Sequence, residues 1–253
     1  MQSAVLRRDL IRALDPVQFV LDVTGFERVD PWQEDVLTST ADRIILNCCR
    51  QSGKSTTAGL LALHTAVYNP GALVLLLSPS LRQSSELFQS MRRHYGAIAE
   101  DVPPRRESAL RLELRNGSRI VSLPGKEGTV RGYAGVSLLV VDEASRVPDE
   151  LFHAISPMLA VSQGRLVLLS TPFGKRGFFF DTWDRGEDWH KIRITAEQCP
   201  RITPEFLSRE RKSMPKWFWA QEYGCSFEES QAAVFDFAAI EDAAQGKVAQ
   251  WRL

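Results

Sequence analysis

Nine residues, Cys48-Cys49-Arg50-Gln51-Ser52-Gly53-Lys54-Ser55-Thr56, present the side chains of a nucleotide phosphate cradle in the order that chemistry requires. They follow an apolar run, Arg43-Ile44-Ile45-Leu46-Asn47, and precede a helix-compatible segment, Thr57 to Tyr68. In such a cradle the loop N–H groups and the positive end of the following helix point at phosphate oxygens. Lys54 would reach the β- and γ-phosphates, and the Ser55 hydroxyl would hold Mg²⁺. The usual pattern opens with glycine, and here Cys48 stands at that place. On these nine residues alone, a turn that merely resembles the cradle remains open.

A second cluster bears on the choice. Leu138-Leu139-Val140-Val141-Asp142-Glu143 is an unbroken apolar run ending in two carboxylates. A strand apolar on both faces belongs in a buried parallel sheet, and open α/β sheets bind ligands at the C-terminal ends of their strands. Asp142 would complete a Mg²⁺ shell and Glu143 would polarise an attacking water. Alone, the pair could be an acidic helix cap after an ordinary core strand. With the loop some ninety residues upstream, the expectation is a nucleoside triphosphatase.

The elements that must position these groups are legible as apolar runs. Strands are expected at Ile44–Asn47, Leu73–Ser78, Leu110–Leu114, Arg119–Leu123, Leu138–Asp142, Leu166–Ser170 and Lys191–Ile194. Helical patterns at Arg82–Tyr95 and Asp149–Leu159 separate several of them, which predicts βαβ units and a mainly parallel sheet. Arg115-Asn116-Gly117-Ser118 should close a hairpin through an Asn-Gly two-residue turn. After Pro200 come charged, aromatic helices, Pro204–Met214 and Pro215–Tyr223, expected to form a helical lid over the nucleotide.

Other residues have two readings. Pro31-Trp32-Gln33 starts a helix, and Gln33 could bond the N6 and N7 edge of adenine or be a surface residue at a helix start. Ser170-Thr171-Pro172 closes an apolar strand, so Thr171 could touch the γ-phosphate or sit in a plain turn. Arg131, in the loop Thr129-Val130-Arg131-Gly132-Tyr133, is either a solvated side chain or a finger reaching a neighbouring subunit's γ-phosphate. The basic pairs Arg92-Arg93, Arg105-Arg106 and Lys175-Arg176, and the cluster Arg209-Arg211-Lys212, read mostly as solvated faces, and Phe178-Phe179-Phe180 reads as core.

Composition narrows the partners. Lys+Arg and Asp+Glu are equal at 31 each, which argues against clamping nucleic acid through bulk charge but leaves local basic faces possible. The 253 residues, 44% hydrophobic, suffice for one core and a small appended unit. No run of eighteen apolar residues exists and the N-terminus lacks a secretory h-region, so a soluble intracellular chain with no membrane partner is expected. The four cysteines form no C-x-x-C pair, which fits reduced thiols better than a zinc site.

Together the motifs resemble the ATPase half of viral terminase large subunits, the DNA-packaging motors of tailed phages. The resemblance runs from about Trp32 to about Glu229. Its most specific part is Arg50-Gln51-Ser52-Gly53-Lys54-Ser55 preceded by small or apolar residues, which is how that family departs from the general loop; Cys48 thereby becomes support. The family's glutamine, acidic-strand and coupling motifs match Gln33, Asp142-Glu143 and Ser170-Thr171-Pro172. Its arginine finger matches Arg131, and Gln221-Glu222-Tyr223 with Phe227 matches its lid signature.

The resemblance implies an α/β P-loop NTPase fold of the ASCE type, a mainly parallel sheet flanked by helices. Residues 1–199 would be the core with an N-terminal helical segment, 200–230 the lid, and 231–253 a linker toward a nuclease domain that is absent. Glu143, Arg131 and Lys54 would be catalytic, and Ser55 and Asp142 would bind Mg²⁺. Gln33, Arg50, Gln51, Ser52, Gly53, Lys54, Ser55, Thr56 and Thr171 would hold ATP, with Arg50 contacting phosphates or sensing the catalytic glutamate. Implied partners are double-stranded DNA without sequence preference, a portal protein, a small terminase subunit and further copies in a pentameric ring, all in the cytoplasm of the bacterial host. Ala233-Val234-Phe235-Asp236 looks like the entry to the nuclease, and the residues up to Leu253 are too few to form it, so no DNA cutting is expected. A helicase-like ATPase of superfamily 1/2 remains the alternative, although nothing after residue 200 supplies its usual second domain. A non-hydrolysing switch would have no use for Glu143.

Overall fold

The computed structural model describes residues 2–125, 130 and 132–229, with side chains from residue 6 onward. Eight strands form one sheet: β1 Arg43–Cys48, β2 Leu73–Ser78, β3 Pro104–Ser108, β4 Arg111–Leu114, β5 Arg119–Pro124, β6 Val136–Asp142, β7 Arg165–Ser170 and β8 His190–Ile194. Their order is β3-β4-β5-β2-β6-β7-β1-β8. Pairings from β5 through β8 are all parallel, and only β3–β4 and β4–β5 are antiparallel. The loop-bearing strand β1 and the acidic strand β6 are not neighbours, because β7 runs between them. Their C-terminal ends open on the same edge of the sheet, as parallel pairing requires.

Continuous apolar runs make the central strands because both faces are covered. Alternation divides their side chains between two layers: Ile44, Leu46, Val74, Leu76, Leu138 and Val140 pack in one, and Ile45, Leu75, Leu77, Leu139 and Val141 in the other. The first layer is closed by α2 Pro16–Thr24, α3 Pro31–Thr38, α4 Lys54–Tyr68 and α5 Leu81–Tyr95, through Phe19, Val36, Leu61, Leu63 and Phe88. An N-terminal helix, Gln2–Leu14, lies against α2, joined by Arg12 and Arg8 on Asp22. The second layer is closed by α6 Asp149–Ile155 and α7 Gly177–Arg185, where Phe178, Phe179 and Phe180 are buried as expected. Deleting one such side chain, Leu139→Ala for instance, should cost about 2–5 kcal/mol. The chain then adds α8 Pro204–Ser213 and α9 Lys216–Glu222, whose own core is small: Cys49, Ala196, Leu207 and Cys225.

Three local expectations are corrected. The Asn-Gly turn is not a two-residue one: Leu114 N–H donates to Ser118 O and Gly117 N–H to Leu114 O, with only Gly117 at positive φ (85°). Three residues therefore cross the hairpin, the turn-plus-left-handed-glycine form. The expected helix over Asp149–Leu159 is α-helical only to Ile155, then turns 3₁₀ over Ser156–Leu159. Pro157 explains this, since proline lacks the N–H and disfavours helix at the residue before it. Finally, Arg105-Arg106 lie on an edge strand, β3, whose polar sequence gave no strand signal.

Candidate active site

The loop after β1 is tied down before it reaches its glycine. Cys48 is fully buried in the larger apolar layer, a position where glycine would leave a gap. Cys49 N–H donates to Ile194 O (2.9 Å) and Arg50 N–H to Glu222 O (3.2 Å), so β8 and α9 hold the loop's first turn. Gln51 and Gly53 take left-handed φ of 62° and 92°, and at 92° a side chain would be strained. Lys54 and Ser55 then open α4, placing the helix's unpaired N–H groups around the loop. Ser52 is buried and Thr56 half-buried.

The loop meets the end of β6. Ser55 Oγ donates to Asp142 Oδ2 at 2.9 Å, and Lys54 Nζ lies 3.2 Å from Glu143 Oε1. Glu143 sits at φ 51°, left-handed, with its N–H bonded to Asp142 Oδ1 (3.0 Å). That turn points the two carboxylates differently: Asp142 back toward Ser55, Glu143 across to Lys54. Burial pushes the Asp142 carboxyl up to about 6, against the pull of Lys54. For Lys54, burial lowers the pKa, but Glu143 and Asp142 outweigh it and the net shift is upward. The amine is therefore a fixed positive charge on a side chain only 9% exposed. Burial pushes the Cys49 thiol up to about 12, so it stays neutral and is no nucleophile.

These donors fit Mg²⁺. It favours hard oxygens and takes one or two protein ligands, leaving its remaining positions to phosphates and water. The Ser55 hydroxyl and Asp142 carboxylate, already in contact, are such a pair.

The other expected site residues have mixed placements. Gln33 is buried beside the loop, but both ends of its amide are engaged: Oε1 accepts from Asp30 N–H (2.8 Å) and Nε2 donates to Thr57 Oγ1 (2.8 Å). Each atom retains one further hydrogen-bonding position. Arg50 does not reach Glu143; it pairs with the buried Glu222 carboxylate of α9. Thr171 is buried next to the site, yet it is Ser170 Oγ that approaches Glu143 Oε2 (3.5 Å). The Thr171 carbonyl instead accepts from Ser145 Oγ at 2.8 Å. Arg131 and residues 231–253, with the expected Ala233–Asp236 entry, lie outside the described residues.

Three contributors were not foreseen, and a fourth, Glu222, was expected only as part of the lid signature. Thr57 links Gln33 to Gly53 O (3.1 Å), and Ser145 joins Ser170 (2.7 Å). Glu222 anchors Arg50. Arg201 bonds Ser52 O (2.6 Å) and Asp30 Oδ2 (2.8 Å), strapping the loop to α3. Only the α3 cap left a readable signal, Asp30 three residues before Gln33.

The family described as "Terminase large subunit, T4likevirus-type, N-terminal" matches residues 45–242. The chain belongs to that family. The terminase large subunit of Thermus virus P23-45 is 25% identical over 234 residues, covering 78% of this chain and 48% of its own length. The chain thus spans about half the length of the curated relatives it matches. Among solved structures, the Thermus phage P74-26 large terminase ATPase domain superposes with a TM-score of 0.75 at 22% identity, covering 85% of this chain and all of that domain. A large terminase from a thermophilic bacteriophage, solved with ADP, gives 0.66 at 14% identity over 79% of this chain and 54% of that one. Likeness at such identities establishes the terminase ATPase fold: an α/β, mostly parallel sheet flanked by helices. Among the described residues no helix is long and apolar enough to cross a membrane.

Proposed function

We propose that this chain hydrolyses ATP to drive double-stranded DNA into a viral procapsid, as the motor part of a terminase large subunit. The observation that carries the reading is the meeting of loop and acidic strand: Lys54 on Glu143 and Ser55 on Asp142, at the ends of two strands separated by a third. Family membership supports it, as does the likeness to a large terminase ATPase domain and to a large terminase solved with ADP.

In the mechanism, loop N–H groups and the α4 terminus cradle the phosphates. Lys54 binds the β- and γ-phosphate oxygens, exchanging its contact with Glu143 for theirs. That exchange matters because it frees the Glu143 carboxylate to face the attacking water. Once released, Glu143 orients the attacking water and takes up its proton. Ser55 and Asp142 would hold Mg²⁺, which neutralises the charge building on the phosphates. Gln33, already fixed beside the loop, uses its remaining donor and acceptor on adenine. Ser170 and Ser145 pass the state of Glu143 to the loop that follows β7. Arg131 acts on a neighbouring copy's nucleotide, so a ring of subunits on a portal, with a small terminase subunit delivering DNA, is the working assembly in the host cytoplasm.

Glu143→Gln tests the chemistry. ATP should still bind, and turnover should fall by about 10²–10⁴. Turnover above a tenth of wild type would remove Glu143 from the mechanism. Mixing Arg131→Ala with Lys54→Ala subunits tests the ring: recovered activity from two inactive partners is expected. A mixture no better than its parts, despite co-assembly, would put Arg131 outside trans catalysis.

A further inference from the structure

The loop between β7 and α7 holds a feature that ATP hydrolysis does not use. Two guanidinium groups lie on one aromatic ring: the central carbon of Arg146 is 4.2 Å from the Phe173 centroid, and that of Arg176 is 5.8 Å away. Both arginines are exposed, and neither has an ion-pair partner among the described residues. Cation–π contacts favour each guanidinium separately, but holding two like charges on one ring without a carboxylate between them is unfavourable in itself. An anion accepting from both would reverse that balance, and the planar fork of arginine suits phosphate oxygens.

The loop is built to hold this geometry. At its start the Thr171 carbonyl accepts from the Ser145 hydroxyl (2.8 Å). Where the helix begins, Phe178 N–H donates to Asp149 Oδ1 (2.7 Å). Between them Gly174 and Gly177 take left-handed φ of 74° and 80°, and a Cβ on Gly177 would crowd Asp149 Oδ1 at 3.2 Å. The arrangement also adjoins the chemistry. Arg146 ends the 3₁₀ turn that begins immediately after Glu143, and Ser145 beside it bonds Ser170, which reaches Glu143.

We propose that Arg146 and Arg176, stacked on Phe173, form a phosphate clamp whose ligand is the backbone of the DNA that the motor moves. The identity of the ligand rests on the packaging function proposed above. The nucleotide's phosphates have the buried Lys54 and the α4 terminus, whereas the clamp's arginines face solvent, where an extended ligand can lie. Backbone contact carries no base identity, as a translocating motor requires. A local clamp also accommodates zero net charge, because it needs no overall basic surface.

The test uses the full chain, a fluorescent duplex read by anisotropy over a range of salt, and ATPase assays without DNA. In the Arg146→Ala/Arg176→Ala double variant, DNA affinity should fall about tenfold and the log–log salt slope should shrink by about 2, one unit per lost phosphate contact. DNA-free turnover and KM for ATP should stay within about twofold of wild type, since neither side chain bonds Lys54, Ser55, Asp142 or Glu143. Arg146→Lys/Arg176→Lys should recover part of the affinity, because charge returns without the planar fork. Unchanged affinity and slope in the folded Ala variant would overturn the clamp alone. A raised DNA-free KM would assign these arginines to the nucleotide and overturn it as well. A wild type that hydrolyses ATP yet ignores duplex DNA would remove the packaging function and the clamp's ligand together.

Discussion

The loop-and-strand half of the site and the α8–α9 half are built on different terms. Lys54 and Ser55 at the start of α4, and Asp142 and Glu143 at the end of β6, rest on strands whose apolar side chains are buried in two layers. The α8–α9 unit has a core of four buried residues and leaves Phe206, Trp217 and Phe218 more than a third exposed. It is joined to the loop by polar contacts: Arg50 to Glu222, Arg201 to Ser52, and Asn47 Nδ2 to Cys225 O (3.0 Å). The contrast separates two tasks. Catalysis needs charges fixed to fractions of an ångström, which close packing supplies. In the proposed function, admitting and releasing ATP would fall to an element of low local stability, which a few polar contacts permit.

Lys54→Ala strikes the rigid half and should have the largest effect, a loss of turnover of roughly a hundred- to a thousandfold. Phosphate-release assays check it, and near-wild-type turnover would break the assignment of the loop. The variant also strips Asp142 and Glu143 of their counter-charge, so the fold should weaken at neutral pH, readable by urea titration.

Next is the pH dependence of Asp142. An unfolded Asp titrates near 3.9, and here the folded group titrates at about 6. A raised folded pKa contributes stability in full below the unfolded value and loses it as pH rises toward 6. The nucleotide-free protein should therefore lose stability from pH 4 to pH 6 relative to Asp142→Asn, measured by denaturant midpoint. Mg²⁺ must displace that proton, so Mg²⁺-dependent nucleotide affinity should weaken about tenfold per pH unit below 6, while Mg²⁺-free affinity should not follow. Parallel curves with and without Mg²⁺ would remove Asp142 from the metal shell.

Smaller effects belong to the soft half. Arg50→Ala removes a contact whose arginine is mostly exposed, so the change should be modest: amide exchange over residues 204–222 faster by about two- to fivefold, with the β2 and β6 amides untouched. Equal acceleration in both regions would erase the contrast between halves. Smallest is Gln33→Ala, which loses the α3 capping box for about 1 kcal/mol. It should also flatten the preference for ATP over GTP. A preserved preference would leave Gln33 as a cap and nothing more.

Much of the rigid half was legible beforehand for a simple reason. Continuous apolar strands and a Gly-Lys-Ser loop are local patterns, and Leu138–Asp142 and Ile44–Asn47 announce buried parallel strands without knowledge of their neighbours. The soft half was legible as helices and, through its Gln221-Glu222-Tyr223 signature, as an expected lid, but not in its contacts. Its contacts join residues far apart in the chain, Arg50 with Glu222 and Asp30 with Arg201, and no local pattern pairs them.

By itself the sequence determined the fold class, the nucleotide loop and the two carboxylates, because residue type, period and immediate order are enough for those. Only the tertiary structure decided which partners these groups take. It inserted β7 between β1 and β6, paired Lys54 with Glu143, turned Arg50 away to Glu222 and gave the contact with Glu143 to Ser170 rather than Thr171. It also set two arginines thirty residues apart, Arg146 and Arg176, on one phenylalanine. Strand order and loop approach arise from how whole layers pack, and packing is a property of the assembled layers rather than of any stretch of chain.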